Sequence, residues 1–389
     1  MKKYNFDEII NRKKSDCVKH DMLKSLYGRD DLTPMWVADM DFRSPDFVME
    51  ALRKRCDHEV LGYGMPPKGY TQAILNWLEN HYKIHAEKEE IHFIPGIVAG
   101  ISYALLCLTQ PGDNVLVTTP VYPPFLNLPV AASRNVVQSQ LKIENGRFVI
   151  DFDDFERKAT ECKVFILSNP HNPSGTVWGS EVLSRIADIC QRKGLIVIAD
   201  EIHADLTLPG HQHVSYSTVS KSARDHSLTF MAPSKTFNIA GLGSSTCYIA
   251  NPDLRKRFFG WLNGLGVAGG NIFAFTGAEA AFAHGEEWLR QMLDYLEDNV
   301  ETLRTFMAEQ MPKAKVILPE ASYLAWIDFS AYRLSHQELA DRFVNKARVA
   351  LNDGTTFGGD AYQCCFRLNI GCPRETLTDA LSRIAEAIK

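Results

Sequence analysis

The sequence predicts an α/β fold: a mostly parallel sheet with helices on both faces, joined to a smaller α+β unit. Three observations predict it. Short runs such as Lys163–Ser168, Leu195–Ala199 and Ser227–Met231 are apolar nearly throughout, the mark of strands buried on both faces. These runs alternate with helix-like ones, the pattern of βαβ units. At 389 residues the chain exceeds what one hydrophobic core holds, so a large domain and a smaller one are expected.

The elements follow in order. Ile97 to Gln110 reads as a helix closed by Pro111-Gly112. Asn114 to Thr118 is a β-branched strand ending at Thr119-Pro120, and Lys163 to Ser168 is another, followed by a Pro- and Gly-rich turn. Ser180 reads as the N-cap of a helix running to Lys193, with Gly194 just past its end. Leu195 to Ala199 is a strand with Asp200 directly after it, and Ser227 to Met231 is one more. After about Gly285 the pattern changes to a long helix, Glu286 to roughly Met311, and then short mixed elements. Ser322–Asp328 and Cys365–Ile370 read as strands, His336–Ala347 and Arg374–Ile388 as helices. These shifts place a large domain at 50–285 and a small α+β domain at 1–49 with 286–389.

Composition narrows the function classes. The chain is 45% hydrophobic and 23% charged, as ordinary globular proteins are. A net charge of -5 gives no reason to propose nucleic acid or an anionic membrane as partner. Apolar runs are far too short to span a bilayer, and the N-terminal residues turn acidic without an apolar signal core, so a cytoplasmic location is expected. The nine cysteines include no Cys-x-x-Cys pair and read as buried, reduced thiols. No metal site is expected: His211 and His213 share a loop without a carboxylate or thiol cluster in the local sequence.

Ligands of open parallel sheets sit outside the carboxyl ends of the strands. Three motifs fall there: Asn169-Pro170-His171-Asn172-Pro173-Ser174-Gly175, Asp200-Glu201-Ile202-His203 and Ala232-Pro233-Ser234-Lys235-Thr236-Phe237-Asn238. Together they describe a pocket for pyridoxal 5'-phosphate (PLP). Lys235 can supply an imine nitrogen if held and partly desolvated. Asp200 can pair with a protonated pyridine nitrogen, since a carboxylate after five apolar residues needs a positive partner. Taken alone, it reads more readily as a helix N-cap or an arginine's partner. Asn172, between two prolines, can donate to the ring oxygen. Tyr122 can stack on the ring or simply pack. The phosphate needs backbone N–H groups at a helix start, which Ile97 and Val98 after Pro95-Gly96 can give, with the Ser234 hydroxyl beside them. Arg367, in an otherwise apolar strand, can grip a substrate carboxylate or serve a structural ion pair. His203 can touch the ring oxygen or relay a proton, or be a packed histidine.

These residues, in this order, resemble the PLP-dependent enzymes of fold type I, the aspartate aminotransferase-like class. Trp36-Val37-Ala38-Asp39-Met40-Asp41-Phe42, Leu61-Gly62-Tyr63-Gly64, Asp200-Glu201-Ile202-His203 and Arg367-Leu368-Asn369-Ile370-Gly371 are similar to the MalY/PatB subgroup of cystathionine β-lyases and related C–S lyases. The resemblance implies a seven-stranded, mostly parallel PLP-binding sheet. It implies that Lys235 holds PLP, Asp200 pairs with the ring nitrogen, Tyr122 stacks and Arg367 holds the α-carboxylate. Val37 and Ala38 would line the carboxylate pocket. Tyr63 would reach the phosphate of a neighbouring subunit, implying a homodimer with shared active sites. Two positions depart from the wider class: Ala232 stands where many members have serine, and His203 where aminotransferases have tyrosine. The expected activity is β-elimination from L-cystathionine or other S-substituted cysteines. An aminotransferase on the same scaffold, or a PLP-binding regulator, are the alternatives.

Overall fold

Seven strands build the larger sheet: β1 (Ile91–Ile94), β2 (Asn114–Thr119), β3 (Asn135–Gln140), β4 (Val164–Ser168), β5 (Ile196–Asp200), β6 (Ser227–Met231) and β7 (Ser245–Tyr248). In this computed structural model, which describes residues 2–267 and 269–389, their order is β1-β7-β6-β5-β4-β2-β3. All neighbours are parallel except β7, which runs antiparallel to both β1 and β6. The sheet is therefore mostly parallel, as expected. Side chains alternate between two covered faces. Ile166, Ile198, Leu228 and Phe230 pack with the helix Ile97–Leu108, while Phe165, Leu167, Val197 and Ala199 pack with the helix Ser180–Lys193.

Local chemistry sets the ends of these elements. The helix Ile97–Leu108 stops two residues earlier than the spacing predicts, because Thr109 turns to extended backbone and its hydroxyl bonds back to the Leu105 carbonyl. Ser180 is the first helical residue rather than the cap; Gly179 holds the cap position and no side chain closes it. Gly194 ends that helix at φ 71°, the left-handed conformation that glycine adopts without a Cβ clash.

A second sheet lies later in the chain: β8 (Lys315–Ile317), β9 (Leu324–Asp328), β10 (Asn352–Asp353) and β11 (Cys365–Asn369), in order β8-β9-β11-β10 and antiparallel throughout. The long helix Glu286–Gln310 and the C-terminal helix Arg374–Ile388 accompany it. The segment expected as one helix from His336 begins as an α-helix to Asp341 and widens to a π-helix over Arg342–Ala347. The N-terminal segment returns to this unit: the Phe6 ring meets Trp288 edge-on at 5.7 Å, and the Asp41 N–H donates to the Gly371 carbonyl. The helix Asp46–Cys56 runs continuously through the boundary drawn between residues 49 and 50. All nine cysteines are free thiols. Five are buried, but Cys56 is exposed at its helix end, and Cys17, Cys364 and Cys365 are half-buried, so the uniform burial expected of them does not hold.

Candidate active site

The register of the larger sheet levels the candidate residues. Ser168 of β4 faces Asp200 of β5, which faces Phe230 of β6; Val117 faces Ile166, which sets Thr119 beside Ser168. The loops carrying Tyr122, Asn172, His203 and Lys235 therefore leave the sheet at one edge. The β1 strand ends there too: Ile94 lies opposite Ser245, one residue before the pairing of Thr246 with Met231. That brings Gly96 and the first turn at Ile97 and Val98 to the same rim. No side chain caps this turn, so its N–H groups remain available to an anion.

Asp200 is 6% exposed, and its carboxylate accepts a backbone hydrogen bond from Ile202 at 3.1 Å. Among the described residues no arginine, lysine or histidine forms an ion pair with it. Desolvation raises its pKa to about 7, against the Ile202 hydrogen bond and the Lys235 charge. Three residues on, burial pulls His203 down to about 3, so its ring is neutral, and its Nδ1 has no partner.

Lys235 sits in a short helical turn, Pro233–Thr236, directly after β6. Its Nζ donates to the Ala38 carbonyl at 2.6 Å. Desolvation lowers its pKa to about 8, with Arg367 adding to the shift and Asp39 and Asp200 opposing it. The turn is anchored from below: the Thr236 hydroxyl donates to Asp205 at 2.8 Å, and Trp77 donates to the same carboxylate at 2.9 Å, as does Tyr82. The hydroxyl of Ser234 lies on the same turn, half-buried.

Arg367 reaches the site from β11 of the other sheet. Its guanidinium donates to Asn172 Oδ1 at 2.9 Å, to the Trp36 carbonyl at 2.9 Å and to Asn352, and lies over the Phe357 ring at 5.1 Å. Among the described residues it has no carboxylate partner, and its Nε is buried without an acceptor. A structural ion pair is therefore not what holds it. Burial lowers its pKa to about 10, still fully cationic at neutral pH. With its Oδ1 occupied, Asn172 keeps its amide hydrogens for another acceptor. Tyr122 is half-buried, and its N–H donates to the Asn172 carbonyl.

Val37 and Ala38 lie on the strap between these parts. Asn369, two residues after Arg367 on β11, donates to the Val37 carbonyl at 2.5 Å and the Asp39 carbonyl at 2.7 Å. Asn238, three residues after Lys235, donates to the Met40 and Phe42 carbonyls and accepts from the Met40 N–H. Its φ of 54° is one that asparagine tolerates better than most residues. Sequence reasoning gave Asn238, Asn369 and Tyr323 no role. The two asparagines stood inside quoted motifs; Tyr323 had no signal beyond its strand. A cavity of about 800 Å³ opens beside Lys235, lined in part by Val37, Asp39, Asn238 and Arg12.

Tyr63 stands apart. It is fully exposed in a segment without helix or strand, beside exposed Val60, Leu61 and Met65. The His211–His213 loop also departs from expectation: folding brings His213 Nε2 within 3.2 Å of buried Glu201, a carboxylate the local sequence did not offer. No metal-ligating cluster occurs among the described residues, and no helix is long and apolar enough to cross a membrane.

The family model for aminotransferase class I and II matches residues 31–384. The chain belongs to that family. It is 42% identical over 99% of its length to the whole of cystathionine beta-lyase PatB from Bacillus subtilis (strain 168). Among solved structures it resembles a PLP-bound candidate aminotransferase from Clostridium difficile 630, with a TM-score of 0.97 and 38% identity over 100% of both chains. It also resembles the PLP-bound C–S lyase from Staphylococcus hominis, with a TM-score of 0.92 and 34% identity over 99% of this chain and 98% of that one.

Proposed function

We propose that this chain is a PLP-dependent carbon–sulfur β-lyase that converts L-cystathionine or other S-substituted cysteines to pyruvate, ammonia and a thiol. The observation that carries the reading is the 42% identity, end to end, to a cystathionine beta-lyase, on a site whose residues fit PLP. The fit rests on two buried charges without counterions among the described residues: Asp200, a carboxylate lacking a cation, and Arg367, a cation lacking a carboxylate. A protonated pyridine nitrogen and a substrate α-carboxylate supply the missing partners.

Bound PLP supplies an electron sink for the carbanion at the substrate α-carbon. Asp200 keeps the proton on the ring nitrogen. Asn172 donates its amide hydrogens to the ring oxygen, with His203 neutral beside it, and Tyr122 covers the ring face. The N–H groups of Ile97 and Val98 and the Ser234 hydroxyl hold the phosphate. Arg367 grips the substrate carboxylate, with Val37 and Ala38 lining that end of the pocket. Lys235 is the residue that carries PLP and then, as a free amine, takes the α-proton; a pKa near 8 leaves a usable neutral fraction near neutral pH. With Ala232 in place of a serine, the phosphate depends more on these groups and on Tyr63.

Tyr63 belongs to the reading as a phosphate ligand of a neighbouring subunit, in a homodimer with shared sites. Its full exposure among exposed apolar residues supports this. A cytoplasmic location accords with nine free thiols. The division into a domain at 50–285 and one at 1–49 with 286–389 is part of the same proposal, supported by the separation of the seven-stranded sheet from the four-stranded one.

The test is pyruvate release from L-cystathionine by purified, PLP-loaded protein with no keto acid added. Sustained pyruvate and ammonia, with homocysteine as the thiol, are expected. Amino-group transfer that depends on an added keto acid, without pyruvate, would replace the lyase reading with an aminotransferase.

A further inference from the structure

Lys235 and Tyr323 meet at one atom. The Ala38 carbonyl accepts Lys235 Nζ at 2.6 Å and the Tyr323 hydroxyl at 3.0 Å. A carbonyl oxygen has two lone pairs, so these two donors fill it. The oxygen itself cannot drift. Asn369 holds the carbonyls on either side, at Val37 and Asp39, and Lys19 donates to the Asp39 carbonyl at 3.1 Å. Tyr323 is equally fixed. It is fully buried just before β9, and its backbone carbonyl accepts from the Ile370 N–H. Its ring lies so close to Gly371 that a Cβ there would sit 3.0 Å from Tyr323 Cγ. The His203 ring lies edge-on to it at 6.4 Å.

We infer that Tyr323 is a positioning residue for Lys235, acting through the Ala38 carbonyl oxygen that the two side chains share. This rests on the reading of Lys235 as the lysine that carries PLP. The hydroxyl aims its positive end at the oxygen that receives the lysine ammonium. It offsets part of the negative potential there and weakens the oxygen's hold on the charged form. The free amine is thereby easier to release. The charged and titratable groups facing Lys235 are Asp39 on the strap, Asp200 at the end of β5, His203 just after it, and Arg367 on β11. Tyr323→Phe retains all of them, together with the ring packing.

The experiment follows covalent capture of PLP by apoprotein, trapped with borohydride, as a function of pH, for wild type, Y323F and K235A. Capture by wild type and none at the active site of K235A are expected. In Y323F the pH midpoint should rise by roughly half a unit, the scale of one net hydrogen bond. At neutral pH its kcat should fall about threefold with KM unchanged. A Y323F midpoint equal to or below wild type, with or without a lower melting temperature, overturns the inference and leaves the tyrosine a packing residue. Capture by K235A equal to wild type overturns instead the reading of Lys235 on which it rests.

Discussion

Two shielded aspartates, Asp200 at the end of β5 and Asp41 on the N-terminal strap, behave in opposite ways. Desolvation pushes both toward the neutral form. At Asp41 it is outweighed by Lys19 at 2.8 Å, by His20 and by Arg12 at 2.6 Å, which hold the carboxyl well below the usual carboxylate range. At Asp200 only a backbone N–H and the more distant lysine oppose it, and the pKa rises to about 7. One carboxylate is paid in full within the chain; the other is left open to a ligand. The difference teaches how to tell a structural charge from a functional one: count the cations already present, not the burial.

Substitutions can break this comparison, beginning with the largest expected effect. Lys235→Ala should remove pyruvate formation altogether, read in a coupled assay, while the melting temperature holds or rises; appreciable residual turnover would end the assignment of this lysine as base. Asp200→Asn should lower kcat/KM by roughly 10²–10³-fold, the cost of losing a preorganised charge at a reacting centre, without loss of stability. Arg367→Lys keeps the charge but loses the two-pronged grip, so KM should rise about tenfold or more. Asp41→Asn should do the reverse of Asp200→Asn. Chemical denaturation should show a loss of about 3 kcal/mol, because Lys19 is left buried with a weakened partner. The folded fraction should keep most of its turnover.

A gentler test is pH. The carboxyl of Asp41 is depressed by folding, so its stabilisation is full above the ordinary value of 3.8 and is lost as pH falls below it. Asp200 has the opposite sign. Its pKa rises from 3.8 to about 7 on folding, so apoprotein stability should decline as pH climbs through that window, by at most about 4 kcal/mol. Melting curves of apo wild type and D200N across this range isolate the contribution. Equal slopes in the two proteins would mean that Asp200 has a hidden cation.

The central strands were legible because parallel strands covered on both faces must be apolar at every position, as β4, β5 and β6 nearly are. Strands β1, β3 and β7 were not. Asn135–Gln140 at one edge is mostly polar, Ile91–Ile94 at the other carries a histidine, and Ser245–Tyr248 carries three hydroxyls. The site was legible where a chemical group sits at the end of a strand or within a few residues of it, as Asp200, Asn172 and Lys235 do. The ties that hold the Val37–Asp39 strap were not, because those contacts join distant parts of the chain: Asn369 meets Val37 across 332 positions, and Tyr323 meets Ala38 across 285. No local pattern carries such a pairing.

Arg367 ties three distant segments into one pocket: its own strand, the Asn172 loop 195 positions earlier and the Trp36 strap 331 positions earlier. That span imposes an order on the birth of the protein. A ribosome releases the residues of β1 to β7 long before it releases Arg367, so a nascent chain lacks this wall of the pocket until β11 emerges. The N-terminal strap, which Asn238 ties to the larger domain at Met40 and Phe42, gains its remaining ties only from Asn369 and, just past that strand, Gly371. Chains cut short before that strand would therefore lack Arg367 and be unable to assemble the complete pocket.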